Sequence, residues 1–300
     1  MRSLITGGRG FVGTWLAAHL RDLGDDVTVI DAEVDVTDPA ALLTAVTAAE
    51  PDAIYHLAAM AHVGDSWKEP LRVLEVNVLG TAAVLAAARE GGRDPRILVT
   101  SSAEVYGAVT DPADLPLTEA SPVAPLTPYA ASKLAAEALI GQAVRGHGQQ
   151  VITVRPFNHI GPGQSPNFAV SALARRIVEA DRRGDRSIPV GNLSARRDFT
   201  DVRDVVRAYR LLVESGETGG LYNVCSGVDV AIEEIATRLL DQAGTSLTFE
   251  SDPALLRPVE VPVLRGDPTR LQETTGWKPE VPLDRTLADV LAYWREHPGA

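Results

Sequence analysis

The segment Thr6-Gly7-Gly8-Arg9-Gly10-Phe11-Val12-Gly13 follows a short β-branched run at 2–6 and opens an alanine-rich helical stretch at about 11–23. Each glycine has its own physical reason. Gly7 permits the tight turn off the strand, Gly10 lets backbone approach a pyrophosphate, and Gly13 lets the helix pack against the strand. Free amides at a helix amino terminus would then face an anion. Glycine turns are common, so the surroundings carry the reading: a strand before, a helix after, and Asp31 closing the next strand, 18 residues past Gly13. A carboxylate there accepts hydrogen bonds from an adenosine ribose and repels a 2′-phosphate. An ordinary turn residue is the plain alternative for Asp31. Arg9, inside the loop, can offset that repulsion, which leaves NADH and NADPH both open. Asp35 and Val36 are expected at the adenine, with a helix-capping series through Thr37 and Asp38 as the alternative.

Outward from this loop, apolar strand-like runs (2–6, 27–31, 53–57, 97–101 and 151–155) alternate with helical patterns (about 11–23, 39–49, 71–90 and 128–146). Such alternation predicts βαβ units. The fold class expected is α/β, a Rossmann-type doubly wound parallel sheet with a smaller mixed α/β substrate-binding lobe. The link after Asp31 is brief, so one crossover is expected to be abbreviated. Residues 155–167 are rich in proline and glycine and read as a loop leaving the sheet. Helices are expected at about 168–183, 201–214, 231–243, 268–275 and 283–296, and strands at 188–193, 221–226 and 246–250. The domain division expected is 1–157 plus about 193–229 for the dinucleotide domain, and about 158–192 with 230–300 for the lobe.

Composition narrows the function classes. The 300 residues carry 40 Asp and Glu against 28 Lys and Arg, a net charge of −12, which disfavours binding to nucleic-acid backbones. One cysteine, Cys225, excludes a disulfide framework and a Cys-based zinc site. His56, His62 and His159 lie near site segments without metal-ligand spacing, so no metal is expected. No apolar run is expected to reach the roughly 20 residues of a membrane span, and, with the amino terminus reading straight into a strand, no signal peptide is expected. A cytoplasmic protein with a small-molecule substrate is expected. The basic residues are 25 arginines and three lysines, Lys68, Lys133 and Lys278.

One of those lysines falls in Pro128-Tyr129-Ala130-Ala131-Ser132-Lys133, where a helix starts at its proline. Tyr129 and Lys133 are four apart and share a helix face. A phenol titrates near 10, and a neighbouring ammonium favours its ionised form. A hydroxyl at a strand end, Ser102, can share the substrate oxygen. Tyr129, Lys133 and Ser102 are therefore the catalytic candidates. An exposed structural pair is the alternative for the first two.

With these pieces the chain resembles the extended short-chain dehydrogenase/reductases. The matching segments are TGGRGFVG (6–13), LAAMAHV (57–63), NVLGT (77–81), SSAEVYG (101–107), PYAASK (128–133) and RPFNHIGPGQ (155–164). The resemblance implies NAD(P) and a nucleotide-activated sugar, with Ser102, Tyr129 and Lys133 in the roles just argued. It implies cofactor contacts from Gly7, Gly10, Phe11, Val12, Asp31, Asp35, Val36, Leu57, Ala58, Ala59 and Lys133, joined by Asn77, which is also expected to support the active-site helix. FNHIGPGQ, the stretch Val190 to Val202, and Arg257-Pro258 with Asp267 are most similar to the GDP-4-keto-6-deoxy-mannose reductases within that family. A GDP-sugar is thus implied, held by Asn158, Asn192, Arg197 and Arg257, with Glu260 near the nucleotide ribose. Arginine forks suit a diphosphate, yet most of the 25 are expected to be surface charges, Arg175 and Arg176 among them.

Glu104 divides the readings. Related sugar 4,6-dehydratases carry a glutamate at this place, so it is a catalytic candidate; a loop acid is its plain alternative. Ketone reduction needs a hydride and one proton, whereas dehydration needs further acid–base groups. Reduction of the C4 ketone of GDP-4-keto-6-deoxy-mannose, giving GDP-rhamnose or its C4 epimer, is the first expectation. GDP-mannose 4,6-dehydratase or another nucleotide-sugar epimerase or dehydratase is the alternative, and a non-catalytic nucleotide sensor the remote one. By resemblance, the helices at 71–90 and 128–146 are expected to form a homodimer's four-helix bundle.

Overall fold

Short apolar runs become the strands of one parallel sheet, and the helices between them cover both of its faces. The computed structural model describes residues 1–109, 111–255 and 261–298. Its first half runs β1 (Arg2–Thr6), α1 (Phe11–Asp22), β2 (Asp26–Ile30), α2 (Pro39–Ala49), β3 (Ala53–His56), α3 (Val63–Ser66), α4 (Pro70–Leu74), a π-helical turn (Glu75–Leu79), α5 (Gly80–Glu90), β4 (Arg96–Thr100), α6 (Pro128–His147) and β5 (Val151–Pro156). There follow β6 (Asn158–Ile160), α7 (Ala169–Arg183), β7 (Ser187–Val190), β8 (Arg196–Asp201), α8 (Val202–Ser215), β9 (Leu221–Val224), β10 (Asp229–Ala231), α9 (Ile232–Ala243), β11 (Thr248–Ser251), β12 (Val263–Leu264), α10 (Thr269–Thr275) and α11 (Leu283–Glu296).

The main sheet has the order β2-β1-β3-β4-β5-β9, all parallel. Alternate residues of each strand face opposite ways. Ile5, Tyr55 and Leu98 pack under α1, α8 and α10, while Leu4, Ile54 and Ile97 pack under α2, α5 and α6. The strand order reverses between β1 and β3, and ligand crevices of such sheets open there, at the strands' carboxyl ends. The chain is thus a doubly wound α/β protein, as the alternation predicts.

The second half departs from expectation in detail. Residues 155–167 are not all loop: Asn158–Ile160 forms β6, which pairs in parallel with β8. A four-stranded sheet joins β10, β8, β12 and β6, and β7 pairs with β11. Most of these strands are short and polar, and the apolar pattern does not announce them. We therefore assign β8 to the lobe, although 193–201 falls in the stretch expected to belong to the dinucleotide domain. Conversely Leu271 and Trp277, inside 230–300, are buried in the core of the main sheet. The lobe's own core gathers Ile177, Ile188, Ile235, Leu239, Leu291 and Trp294.

One exclusion is corrected. The 21-residue helical stretch Pro70–Glu90 is long and apolar enough to cross a bilayer by length and composition alone. Here 56% of its most apolar window is buried in the protein, with α5 against α2 and α4 against α6.

Candidate active site

The glycine loop closes as its spacing requires. Gly7 has φ +69°, and a Cβ on it would lie 2.7 Å from the Ala58 amide nitrogen. A Cβ on Gly13 would lie 2.4 Å from the Gly7 carbonyl oxygen, so the first turn of α1 rests directly on the loop. Gly10 sits at the N-cap of α1 and no side chain caps that end. Such an end leaves amides free for an anion. Gly7, Gly10, Phe11, Val12, Asp31, Asp35, Val36, Leu57, Ala58 and Ala59 all line one cleft of about 1190 Å³ along the carboxyl edge of the sheet. Asp31 accepts from the Arg9 and Ala32 amides, at 2.8 and 3.0 Å. Asp35 stands where both readings of it can hold. It lines the cleft, and its carboxylate also builds a turn by accepting from the Thr37 amide and hydroxyl, at 2.9 and 2.8 Å. Those bonds hold its pKa below the ordinary carboxylate value.

Ser102 and Tyr129 face the same cleft with Glu104. β4 ends at Thr100, so Ser102 stands just beyond the strand's carboxyl end and accepts from the Glu104 amide at 3.2 Å. Thr127 caps α6 by accepting from the Ala130 amide at 3.1 Å, with Pro128 in the first turn. Tyr129 thus sits at the start of a rigid helix. Burial pushes its phenol up to about 12, a hydrogen bond with Ser102 opposes that rise, and the Glu104 charge adds to it. The expectation that Lys133 would lower this pKa is not met here. The Lys133 ammonium lies 6.0 Å from the tyrosine ring centre and donates to the Thr100 carbonyl at 2.7 Å. Burial brings Lys133 itself down to about 8, against the raising influence of Glu137. At neutral pH this pair is a protonated phenol over a largely charged ammonium, the state a proton donor needs.

Lys133 and Asn77, both placed with the cofactor residues from sequence, lie outside the lining of the cleft. Asn77 is 1% exposed and sits in the π-helical turn, a distortion often found at functional sites. Its amide nitrogen donates to Ser132 Oγ at 2.9 Å and to the Met60 carbonyl at 3.2 Å, while its oxygen accepts from the Met60 amide at 2.8 Å. Ser132 in turn donates to the Tyr129 carbonyl at 2.7 Å. Asn77 therefore supports the helix, as expected, and does so from behind the site.

A buried row of bonds ties this support to the glycine loop. The Thr81 hydroxyl donates to the Asn77 carbonyl at 2.7 Å, so it must accept from His56 Nε2–H at 3.1 Å. His56 Nδ1 then accepts from the Thr6 hydroxyl at 2.7 Å, and Thr6 Oγ1 accepts from the Ala58 amide at 3.3 Å. A carbonyl at one end and an amide at the other leave one tautomer for His56. Burial, with the Lys133 charge nearby, brings its pKa down to about 3.

The lobe supplies the opposite wall. Asn158, Asn192 and Arg197, expected to hold a GDP-sugar, line the cleft. Asn192 also forms a local turn, its oxygen accepting from the Ser194 amide and hydroxyl at 2.9 and 2.8 Å. Arg257 and Glu260 lie outside the described residues. Arg176, set aside from sequence as a surface charge, lines the cleft, anchored by donation to the Pro189 carbonyl at 3.0 Å. Arg175, one residue earlier, pairs with Glu179 at 2.7 Å and faces Trp294. His159, which from sequence lies near a site segment without metal-ligand spacing, is on β6 and lines the cleft. Its ring stacks on Phe11 (centres 6.1 Å apart, planes 5° apart), and Nδ1 lies 3.1 Å from the Phe157 carbonyl.

The sequence matches the family described as GDP-mannose 4,6 dehydratase over residues 32–290. The chain belongs to that family. The GDP-6-deoxy-D-mannose reductase of Pseudomonas aeruginosa PAO1 is 39% identical over 297 residues, covering 98% of this chain and 97% of the relative. The structure titled RMD from Pseudomonas aeruginosa complexed with NADPH superposes with a TM-score of 0.91 at 37% identity, covering 99% of each chain. The Thermus thermophilus UDP-glucose 4-epimerase complex with NAD superposes with a TM-score of 0.89 at 28% identity, covering 99% of this chain and 100% of that one. Among the described residues of this family member no cluster of metal-ligating side chains is found.

Proposed function

We propose that the protein reduces the C4 ketone of GDP-4-keto-6-deoxy-D-mannose with NADPH or NADH, giving a GDP-6-deoxyhexose, GDP-D-rhamnose in the first instance. The observation that carries this reading is the Tyr129 phenol, kept protonated by burial and lining, with Ser102, a cleft that also holds the glycine loop. The full-length likeness to a GDP-6-deoxy-D-mannose reductase supports the substrate. The cleft fits a dinucleotide: the uncapped start of α1 suits its pyrophosphate and Asp31 its ribose. When bound, the reduced nicotinamide supplies hydride to the ketone carbon.

The chain's own residues do the rest. Tyr129 donates its proton to the developing alkoxide and Ser102 positions the oxygen. Lys133, beneath them, supplies positive charge. Glu104 opposes phenolate formation and so keeps Tyr129 an acid. Arg197 and Arg176 suit the diphosphate of a GDP-sugar, with Asn158 and Asn192 beside it; Arg257 and Glu260 complete the expected set. We further propose a cytoplasmic homodimer. Leu71, Leu74 and Leu79 are exposed on the Pro70–Glu90 helix and Trp67 just before it, an apolar face that a second copy would cover. A light-scattering mass of one chain would refute that state.

Consumption of absorbance at 340 nm when protein, reduced cofactor and keto-sugar are mixed tests the reduction; no consumption with either cofactor would sink it. Glu104 keeps a dehydratase as the second reading. Turnover of GDP-mannose with no added reductant would establish that reading instead. A sensor would keep its function after Tyr129→Phe, whereas the reductase would lose most of its turnover.

A further inference from the structure

At the β2 end of the cleft Asp31, Asp35, Arg9 and Arg72 line the wall, and Glu33 and Glu75 stand outside the lining, paired to the two guanidiniums. Asp31 follows β2, Glu33 and Asp35 come next, and Glu75 opens the π-helical turn. Arg9 comes from the glycine loop and Arg72 from α4, and both line the cleft. Both guanidiniums are engaged by these acids. Arg9 Nη1 and Nη2 donate to the two oxygens of Glu33 at 2.8 and 3.2 Å. Arg72 donates to Glu75 at 2.8 Å and lies 3.7 Å from Asp35. Glu33 is braced from a second side, since its Oε1 also accepts from the Asp31 amide at 3.2 Å.

We propose that Glu33 is a cofactor-specificity residue, which by clamping Arg9 commits the ribose subsite to NADH over NADPH. The proposal rests on the dinucleotide reading of the cleft. A 2′-phosphate would meet the Asp31 carboxylate and find the loop's guanidinium already forked onto another one. The charges of Arg9 and Arg72 are offset by Glu33 and Glu75, which leaves the Asp31 and Asp35 carboxylates in the lining, and adding like charge to such a field is unfavourable. The Arg9–Glu33 fork has the bidentate geometry of a strong pair. Its members are nevertheless 66% and 43% exposed, so the clamp tunes the preference and does not make it absolute. The Pseudomonas aeruginosa structure was obtained with NADPH; the preference claimed for this chain comes from its own residues 9, 31 and 33.

Calorimetric titration of the full chain with NADH, NADPH, 5′-AMP and adenosine 2′,5′-bisphosphate tests this without any sugar substrate. Wild-type protein is expected to bind NADH about tenfold or more tighter than NADPH. Glu33→Ala should narrow that ratio about fivefold, by releasing Arg9 to the 2′-phosphate. Adding Arg9→Ala should abolish the gain. The bisphosphate should follow NADPH and 5′-AMP should follow NADH. Equal or tighter binding of NADPH by the wild type, or an unmoved ratio in Glu33→Ala, would overturn the proposal. Binding of none of the four probes would overturn the dinucleotide site itself, and the proposal with it.

Discussion

The two walls of the cleft are built by different means. On the sheet side, backbone and buried hydrogen bonds set every position: Gly7 against Ala58, Gly13 against the loop, and the row from Thr6 through His56 to Asn77. On the lobe side, long side chains reach in from α7 and from the short strands. Residues 171–210 hold ten arginines, yet only Arg176 and Arg197 of them line the cleft. Others are spent on internal pairs such as Arg203–Asp201, Arg207–Asp204 and Arg210–Asp25. On the function proposed above, the difference places the chemistry on the backbone-built wall and sugar recognition on the wall built from long side chains.

Substitutions on each wall should therefore fail differently. Tyr129→Phe removes the proton donor, and steady-state assays should show kcat down about 10²–10⁴-fold with cofactor affinity retained. A comparable loss of cofactor binding would break the assignment. Glu137→Gln strikes the support behind that donor. Glu137 takes a fork from Arg155 at 2.9 and 2.7 Å and a hydrogen bond from Ser101. Leaving Arg155 buried and uncompensated should lower stability by about 3–5 kcal/mol in denaturant titrations. It should also shift the pH profile. Glu137 raises the Lys133 pKa, so its loss should lower the pH at which activity declines as the ammonium deprotonates, from about 8 in the wild type. An unchanged alkaline limb would refute that coupling.

The lobe should behave more mildly. Arg197→Ala and Arg176→Ala should each raise KM for the GDP-sugar about 10- to 100-fold, from lost charged hydrogen bonds, with kcat held within a few-fold. If either variant instead matched Tyr129→Phe in kcat, the division between walls would collapse. The smallest effect is a slope. His56 titrates near 6.5 when unfolded and near 3 when folded. Between those values the unfolded chain binds the extra proton, so stability falls as pH drops from about 6.5 toward 3. The slope due to His56 approaches about 1.4 kcal/mol per pH unit. Comparing urea midpoints of wild type and His56→Asn across that range isolates it; identical slopes would exclude His56 as the source.

The same division explains what could be read from the residues alone. Most main-sheet strands are apolar runs buried on both faces, with β2 half exposed at the edge, and α2, α4 and α6 start at prolines, so boundaries emerge within a residue or two. The lobe gives no such signal. β8 reads Arg-Arg-Asp-Phe-Thr-Asp, an improbable strand until Asp198 is seen buried, accepting from Ser226 and Gly227 at 2.6–2.9 Å. Its pairing partners β6, β10 and β12 are two or three residues long, below the length at which alternation can be recognised. Arg176 was illegible for a related reason: nothing in the spacing of α7 says that Arg175 turns to Glu179 and Trp294 while Arg176 faces the cleft. The Tyr129–Lys133 pair was visible as a pair, but its ionisation was not, because burial of the phenol is a property of the folded site.

The row from Ala58 to Asn77 has one further consequence. All its donors point the same way, and the direction continues through the Asn77 side chain and Ser132 to the Tyr129 carbonyl. A proton arrangement with no second solution cannot drift as the lobe is altered. The cofactor choice proposed at Glu33, the sugar binding proposed at Arg176 and Arg197, and the proton delivery proposed at Tyr129 would then be separable design variables, adjustable one at a time on a common chassis.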